Sequence, residues 1–160
     1  MNAKKAWYTI RLLLCRDGYE RAEYIKKHDI FGSMGNNCYF HPYWVPGDPK
    51  NIFIHDNVKI ASNVTFICHD IANAMLNTKY NTKDFKYYLG SIEIFDNVFI
   101  GTNTTILPNK KIGSNCIVGG GTVVSKDVTE GTVVAGNPMR IIESFDDFVK
   151  RRKEFISNSI

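Results

Sequence analysis

No two of the four cysteines, Cys15, Cys38, Cys68 and Cys116, stand at CxxC spacing, and no zinc pattern surrounds them. That excludes a thioredoxin-type redox motif and a zinc knuckle, and reduced thiols are expected. Long hydrophobic runs are also missing. The stretch from Ile10 to Cys15 is short and contains Arg11, so no segment crosses a bilayer and no stable membrane insertion is expected. The start has neither the apolar stretch nor the small-residue cleavage site of a secretory leader, which makes the cytoplasm the expected location. Basic residues are not interleaved with stacking aromatics along the chain, and nucleic acid is not an expected partner. The glycine run Gly119–Gly121 lacks the βαβ surroundings of a dinucleotide fingerprint. What remains is a chain of 160 residues, 44% hydrophobic and 22% charged with net charge +4, which suits one core.

What is present is a period. Ile54, Ile60 and Phe66 stand six apart, and Ile94, Ile100, Ile106, Ile112, Val118 and Val124 continue the series without a slip. A helix of 3.6 residues per turn would carry such a repeat around its whole circumference. A short strand followed by a tight corner returns the same side chain inward each time, so the period predicts a parallel β-helix with short flat faces.

Two further columns share the register. Ile52, Val58, Val64, Ile92, Val98, Thr104, Cys116 and Thr122 stand two residues before each inward aliphatic, small or β-branched as a narrow interior edge requires, with Lys110 as the misfit. Three residues after each aliphatic come Asn57, Asn63, His69, Asn97, Asn103, Asn109, Asn115, Gly121 and Asp127. Asn, Gly and Asp accept the left-handed backbone of a tight corner, so His69 occupies an Asn-type slot and stands out as a residue kept for chemistry. Phe66 and Ile94 are 28 residues apart, so 22 residues beyond one repeat, roughly Asp70 to Ser91, leave the coil. A loop this long is functional or disordered; its aromatics, Tyr80, Phe85, Tyr87 and Tyr88, and its start directly after His69 indicate that it folds over something.

Two helical arms flank the repeats. Lys4 to Lys27 reads as one or two helices broken near Asp17 and Gly18, with Trp7, Ile10, Leu13 and Leu14 on an apolar side. From Ser144 a last helix places Phe145, Phe148, Val149 and Phe155 for packing and exposes Lys150, Arg151, Arg152 and Lys153. That basic run reads first as a solvated face, with an anionic partner as the other reading. The expected organisation is therefore an arm over 1–29, an all-β core over 30–142 with the inserted loop 70–91, and a helix over 143–160. Ile30 to Phe40 forms an irregular first coil.

The stretches VTFICHD at 64–70, IFDNVFIGTNTTILPNKKIGSNCIVGGGTVVSKDV at 94–128 and VVAGNPMRII at 133–142 carry a resemblance. Together they resemble the left-handed β-helix acyltransferases with hexapeptide repeats, in the branch of the maltose, galactoside and polysaccharide O-acetyltransferases. The resemblance covers about four fifths of the chain. It implies acetyl-CoA as donor, a sugar or glycan hydroxyl as acceptor, and a homotrimer with active sites between subunits. His69 matches the catalytic His of VTFICHD and would act as general base on the acceptor hydroxyl, with Asp70 or a backbone carbonyl orienting the ring. Cys68 is not read as its nucleophile, because consecutive residues of an extended backbone point to opposite sides.

The donor site follows from the period and the resemblance together. Thr102 and Gly120 are 18 residues apart, one full coil, and therefore stack as a ladder for an extended pantetheine arm. Gly119, Gly120 and Gly121 allow close approach, and the Thr102 N–H is a candidate oxyanion donor. By resemblance, Ser125 and Lys126 lie near the nucleotide end and Arg140 meets a CoA phosphate. His55 and Phe95 stand where the repeats favour small residues, Asn109, Lys110 and Lys111 replace a more usual turn, and Glu143 replaces a basic residue of some relatives. N-acetylation of an amino sugar is the alternative activity. A non-catalytic or metal-binding β-helix trimer is the other alternative, although no two His stand five apart as a three-His metal site favours, and no metal is expected.

Overall fold

A six-residue unit with two inward side chains and one left-handed corner has room for a strand of two or three residues, and strands of that length recur along the chain. The computed structural model describes residues 3–157; residues 1, 2 and 158–160, which fall in the two expected helical arms, lie outside the described residues. In chain order the elements begin with α1 (Ala3–Leu14), α2 (Gly18–Lys27), β1 (Ser33–Met34), β2 (Tyr39–Phe40), a single 3-10 turn at Pro49–Asn51, β3 (Ile52–Ile54), β4 (Lys59–Ile60) and β5 (Thr65–Phe66). Then come β6 (His69–Asp70), α3 (Ala72–Tyr80), β7 (Tyr88–Leu89), β8 (Ile92–Ile94), β9 (Val98–Ile100), β10 (Thr105–Ile106), β11 (Lys110–Ile112), β12 (Cys116–Val118) and β13 (Val123–Val124). The described chain closes with β14 (Thr132–Ala135), β15 (Arg140–Ser144) and α4 (Phe145–Ser157).

The chain visits three sheets in turn. The first holds β1, β3, β8 and β11, the second β2, β4, β9, β12, β14 and β15, and the third β5, β10 and β13. All pairings within them are parallel except that of β14 with β15. Ile92 pairs with Lys110, Val98 with Cys116 and Thr105 with Val123, each 18 residues apart. Across the insertion the same register holds, with Ile52 opposite Ile92, Lys59 opposite Phe99 and Thr65 opposite Thr105. The first turn is looser. Ser33 pairs with Phe53 and Tyr39 with Lys59 at a separation of 20, and residues 41–51 supply no strand to the third sheet.

Burial follows the columns. Ile54, Ile60, Ile94, Ile100, Ile106, Ile112, Val118 and Val124 are fully buried, and Phe66 nearly so. Thr104 and Thr122 are buried too, and their hydroxyls donate to the Gly101 and Gly119 carbonyls at 2.7 and 2.6 Å, which removes the cost of an unpaired polar group. Lys110 is only half-buried, and its ammonium turns back to the Asn109 carbonyl at 3.1 Å. At the corners Asn57, Asn63, Asn97, Asn103, Asn109 and Asn115 have φ of 56 to 61°, and Gly121 has 71°. One corner carries a ladder in which Asn37 donates to Asn57, Asn57 to Asn97 and Asn97 to Asn115 at 2.9 to 3.1 Å. His55 and Phe95, the bulky departures, stack on each other with centroids 4.8 Å apart, and His55 also meets Glu93, which pairs with Lys111.

Four features depart from the sequence expectations. Asp127, the last of the corner column, does not take the left-handed backbone and instead accepts from the Lys111 N–H at 2.9 Å. His69 does not adopt the left-handed corner of its column; it begins β6, which pairs antiparallel with β7, because here the chain leaves the coil instead of turning. The segment read as a loop over 70–91 contains α3, closed by Asn81 at φ 48°. After β14 the chain reverses through Gly136–Met139 and returns as β15, antiparallel, before Ser144 caps α4 by accepting from the Asp147 N–H at 3.0 Å.

The helical arms also differ in orientation. Asp17 caps α2 by accepting from the Glu20 N–H at 2.9 Å, which is the break expected near Asp17. In α1 the buried residue is Leu12, whereas Trp7, Ile10, Leu13 and Leu14 face outward. In α4, Phe145, Phe148 and Val149 are half-buried and Phe155 is exposed, a correction to its expected packing. Glu143 accepts from Arg151, so the acidic departure holds one arginine of the basic run.

Candidate active site

His69 sits where β5 ends and the coil opens into the insertion. Its neighbour Cys68 turns inward and is buried, with a carbonyl that accepts from the Gly90 N–H at 2.7 Å, while the His69 ring is left half-exposed. Gly90 marks the return to the coil. A Cβ there would stand 2.4 Å from Asn109 Oδ1, and that amide accepts from Ser91 N–H at 3.0 Å and donates to the Tyr88 hydroxyl at 2.8 Å. Asn109, a departure from the usual repeat, thus clamps the base of the insertion.

The carboxylate at His69 Nδ1 belongs to Asp48, which corrects the expectation for Asp70. Asp70 Oδ1 instead accepts from the Ala72 N–H at 2.9 Å at the start of α3. The physical reason is strand alternation: adjacent residues of β6 project to opposite sides, so Asp70 cannot reach its neighbour's ring. Asp48 comes from the irregular segment before β3. It precedes the 3-10 turn without capping it, which leaves the carboxylate free for the imidazole. Val45 and Pro46 are buried and anchor the segment, and Gly47 lets it approach, since a Cβ there would lie 3.2 Å from His69 Cε1.

With a carboxylate on Nδ1, the ring proton is held there and Nε2 presents its lone pair. Tyr87 of the insertion lies beside the ring, centroids 5.5 Å apart and planes at 31°. Its hydroxyl titrates above the ordinary tyrosine range, through desolvation first and then the Asp48 and Asp70 carboxylates. An oriented imidazole flanked by an aromatic face can take a proton from a hydroxyl lying against that face.

The Cys68 thiol is pushed up to about 11, by burial first and by Asp48 second. At pH 8 its thiolate fraction is then about one in a thousand. Native protein treated with a thiol reagent at that pH should be modified first at half-buried Cys15, with Cys38, Cys68 and Cys116 reacting only on denaturation. Rapid labelling of Cys68 in the folded state, read by peptide mass, would reinstate it as a nucleophile.

The other candidate residues divide between two corners. Thr102, Gly119 and Gly120 stand between the second and third sheets, where the Gly121 N–H donates to the Thr102 carbonyl at 2.8 Å and a Cβ on Gly120 would lie 3.1 Å from that oxygen. The expected stacking of Thr102 and Gly120 is therefore present. Ser125 and Lys126 are exposed on the corner between the third and first sheets, the same corner as His69, and Arg140 is exposed at the start of β15. Among the described residues of one chain, no hydrogen bond or ring contact joins His69 to Thr102, Gly119 or Gly120. The strands of the third sheet separate them. A cleft of about 540 Å³ opens between α4 and the outer face of the second sheet, lined by Phe99, Ile117, Phe148 and Arg151 among others. It does not include His69, and the oriented imidazole is the better indicator of chemistry. Among the described residues no three His, Cys, Asp or Glu converge as a metal site.

Asp48 escaped sequence reasoning because it lies outside every repeat. The only trace was the two-residue excess of the first turn, 20 where later turns have 18.

Residues 91–126 match the family described as bacterial transferase hexapeptide (six repeats). Over 106 residues the chain is 39% identical to the protein YvoF of Bacillus subtilis (strain 168), covering 66% of this chain and 55% of that protein. It is 34% identical over 116 residues to galactoside O-acetyltransferase of Escherichia coli (strain K12), covering 71% and 54%. The chain thus spans about half the length of these curated relatives. Among solved structures it is similar to a galactoside acetyltransferase in complex with coenzyme A, with TM-score 0.65, 25% identity and coverage of 92% of this chain and 82% of that one.

Proposed function

Because the chain is a hexapeptide-repeat protein that resembles the galactoside O-acetyltransferases, we propose that it transfers an acetyl group from acetyl-CoA to a hydroxyl of a sugar or polysaccharide. The observation that carries the reading is the His69–Asp48 pair at the point where the repeat coil opens. The coil is left-handed in this reading, as in the acyltransferases it resembles.

His69 is the general base. Its Nε2 takes the acceptor O–H proton as the oxygen attacks the acetyl carbonyl carbon, and the carbonyl becomes a tetrahedral oxyanion. Collapse breaks the C–S bond, and the CoA thiolate leaves with the proton that His69 returns. Asp48 is a positioning residue that holds the Nδ1 tautomer, and Tyr87 presents a face to the sugar ring. The Thr102 N–H is the oxyanion donor, Gly119 and Gly120 line the pantetheine arm, and Ser125, Lys126 and Arg140 serve the nucleotide end. The base and the stack of Thr102, Gly119 and Gly120 lie on different corners of the chain, and a homotrimer, in which one subunit's His69 faces the next subunit's stack, accounts for that separation.

The test is thiol release from acetyl-CoA against a panel of sugars and amino sugars. Release that depends on a hydroxyl acceptor supports O-acetylation, and the product's ester is cleaved by mild base. An amide product formed only with amino sugars would move the reading to N-acetylation. Absence of CoA binding to the folded protein would end the transferase reading altogether.

A further inference from the structure

The outward face of α1 is an apolar surface that the acetyl-transfer reading does not use. Trp7, Ile10, Leu13 and Leu14 are 58, 49, 58 and 69% exposed, although they lie in a regular helix whose neighbour Leu12 is completely buried. At 100° per residue the four form one continuous stripe, opposite the side on which Leu12 packs. Lys4 and Arg11, seven residues apart, run along one border of that stripe. The Arg11 guanidinium rests over the Tyr24 ring at 5.8 Å and the Lys4 ammonium over Tyr8 at 5.7 Å, which places both cations beside the apolar face. From residue 1 to residue 16 there is no Asp or Glu, against four Lys and Arg.

We infer that α1 is a surface-seeking amphipathic helix, which lays its Trp7–Leu14 stripe into the interface of an anionic phospholipid bilayer. Charge decides among the occupants. A second copy of the same helix would bring two basic borders together with no carboxylate on the helix to relieve them, whereas anionic headgroups complement Lys4 and Arg11 directly. A tryptophan and three aliphatics on a short basic helix are the composition that lies in the plane of a membrane. No helix of the described residues is long and apolar enough to cross one. The adsorbed chain keeps its coil in water, and the inference is independent of the acyl acceptor.

The full chain is sedimented with vesicles of phosphatidylcholine containing phosphatidylglycerol, and with vesicles of phosphatidylcholine alone. Binding to the anionic vesicles is expected to exceed binding to the neutral ones. Arg11→Gln should weaken anionic binding roughly fivefold, as one cation near the surface is worth. The double variant Ile10→Ser/Leu14→Ser should lose at least about tenfold, since two side chains no longer enter the interface. Both positions are exposed, so circular dichroism and thermal unfolding should be unchanged. In a Trp44→Phe background, the Trp7 emission should shift to the blue on binding. No binding by the wild type, or binding unchanged in the double variant, overturns the inference. So does a fall in oligomeric mass in the double variant without vesicle binding, which would assign the stripe to contact between copies.

Discussion

His69→Ala is expected to lower kcat for acetyl transfer by about 10² to 10⁴, the range for removal of a positioned general base. CoA affinity and the unfolding temperature should change little, because the ring is half-exposed and its hydrogen-bond partner is the Asp48 side chain. Calorimetric titration with CoA and a thermal scan separate these outcomes from a folding defect. Asp48→Asn tests the positioning role. An amide at Nδ1 no longer fixes the tautomer, so activity should fall, though less than in His69→Ala, while KM for acetyl-CoA stays constant. Asp70→Asn is the control: its carboxylate serves the Ala72 N–H at the start of α3, and the rate should hold. If Asp70→Asn is the damaging variant and Asp48→Asn is silent, the assignment of the pair is wrong. An unchanged kcat in His69→Ala removes the base from the mechanism.

Ile100→Ala should cost about 2 to 5 kcal/mol of folding stability, the range for truncating a fully buried aliphatic side chain. Ile100 is completely buried, and its neighbours in register are Ile60 on one side and Val118 on the other. A narrow coil with strands above and below has little freedom to close the cavity. Lys110→Ala, in the one inward slot that carries a charge, should change stability by less than about 1 kcal/mol, because that side chain has already turned outward. Urea unfolding at a fixed protein concentration measures both, the concentration being held because association shifts the apparent midpoint. Equal losses at the two positions would mean that the column is not the structural axis of the coil.

The sequence by itself determined the repeating part of this protein. Each residue of the coil meets the residue one turn away, so a fixed spacing is enough to predict the buried aliphatic columns, the left-handed Asn and Gly corners, and that Thr102 stacks on Gly120. The aliphatic columns, the Asn corners and the displaced insertion were all legible for that reason, as was His69 as the residue out of keeping with its column.

Only the tertiary structure decided what breaks the period. Asp48 meets His69 from 21 residues upstream, through a segment with no repeat to give its register. The helix α3 has no buried residues and no apolar periodicity to announce it, so it reads as a loop until the hairpin of β6 and β7 holds its base. The reversal into β15 depends on pairing with an existing sheet edge. In α1 the apolar pattern identified a helix but not its rotation: Leu12 was drawn inward and the wider stripe outward, a choice made by packing, which local spacing does not encode.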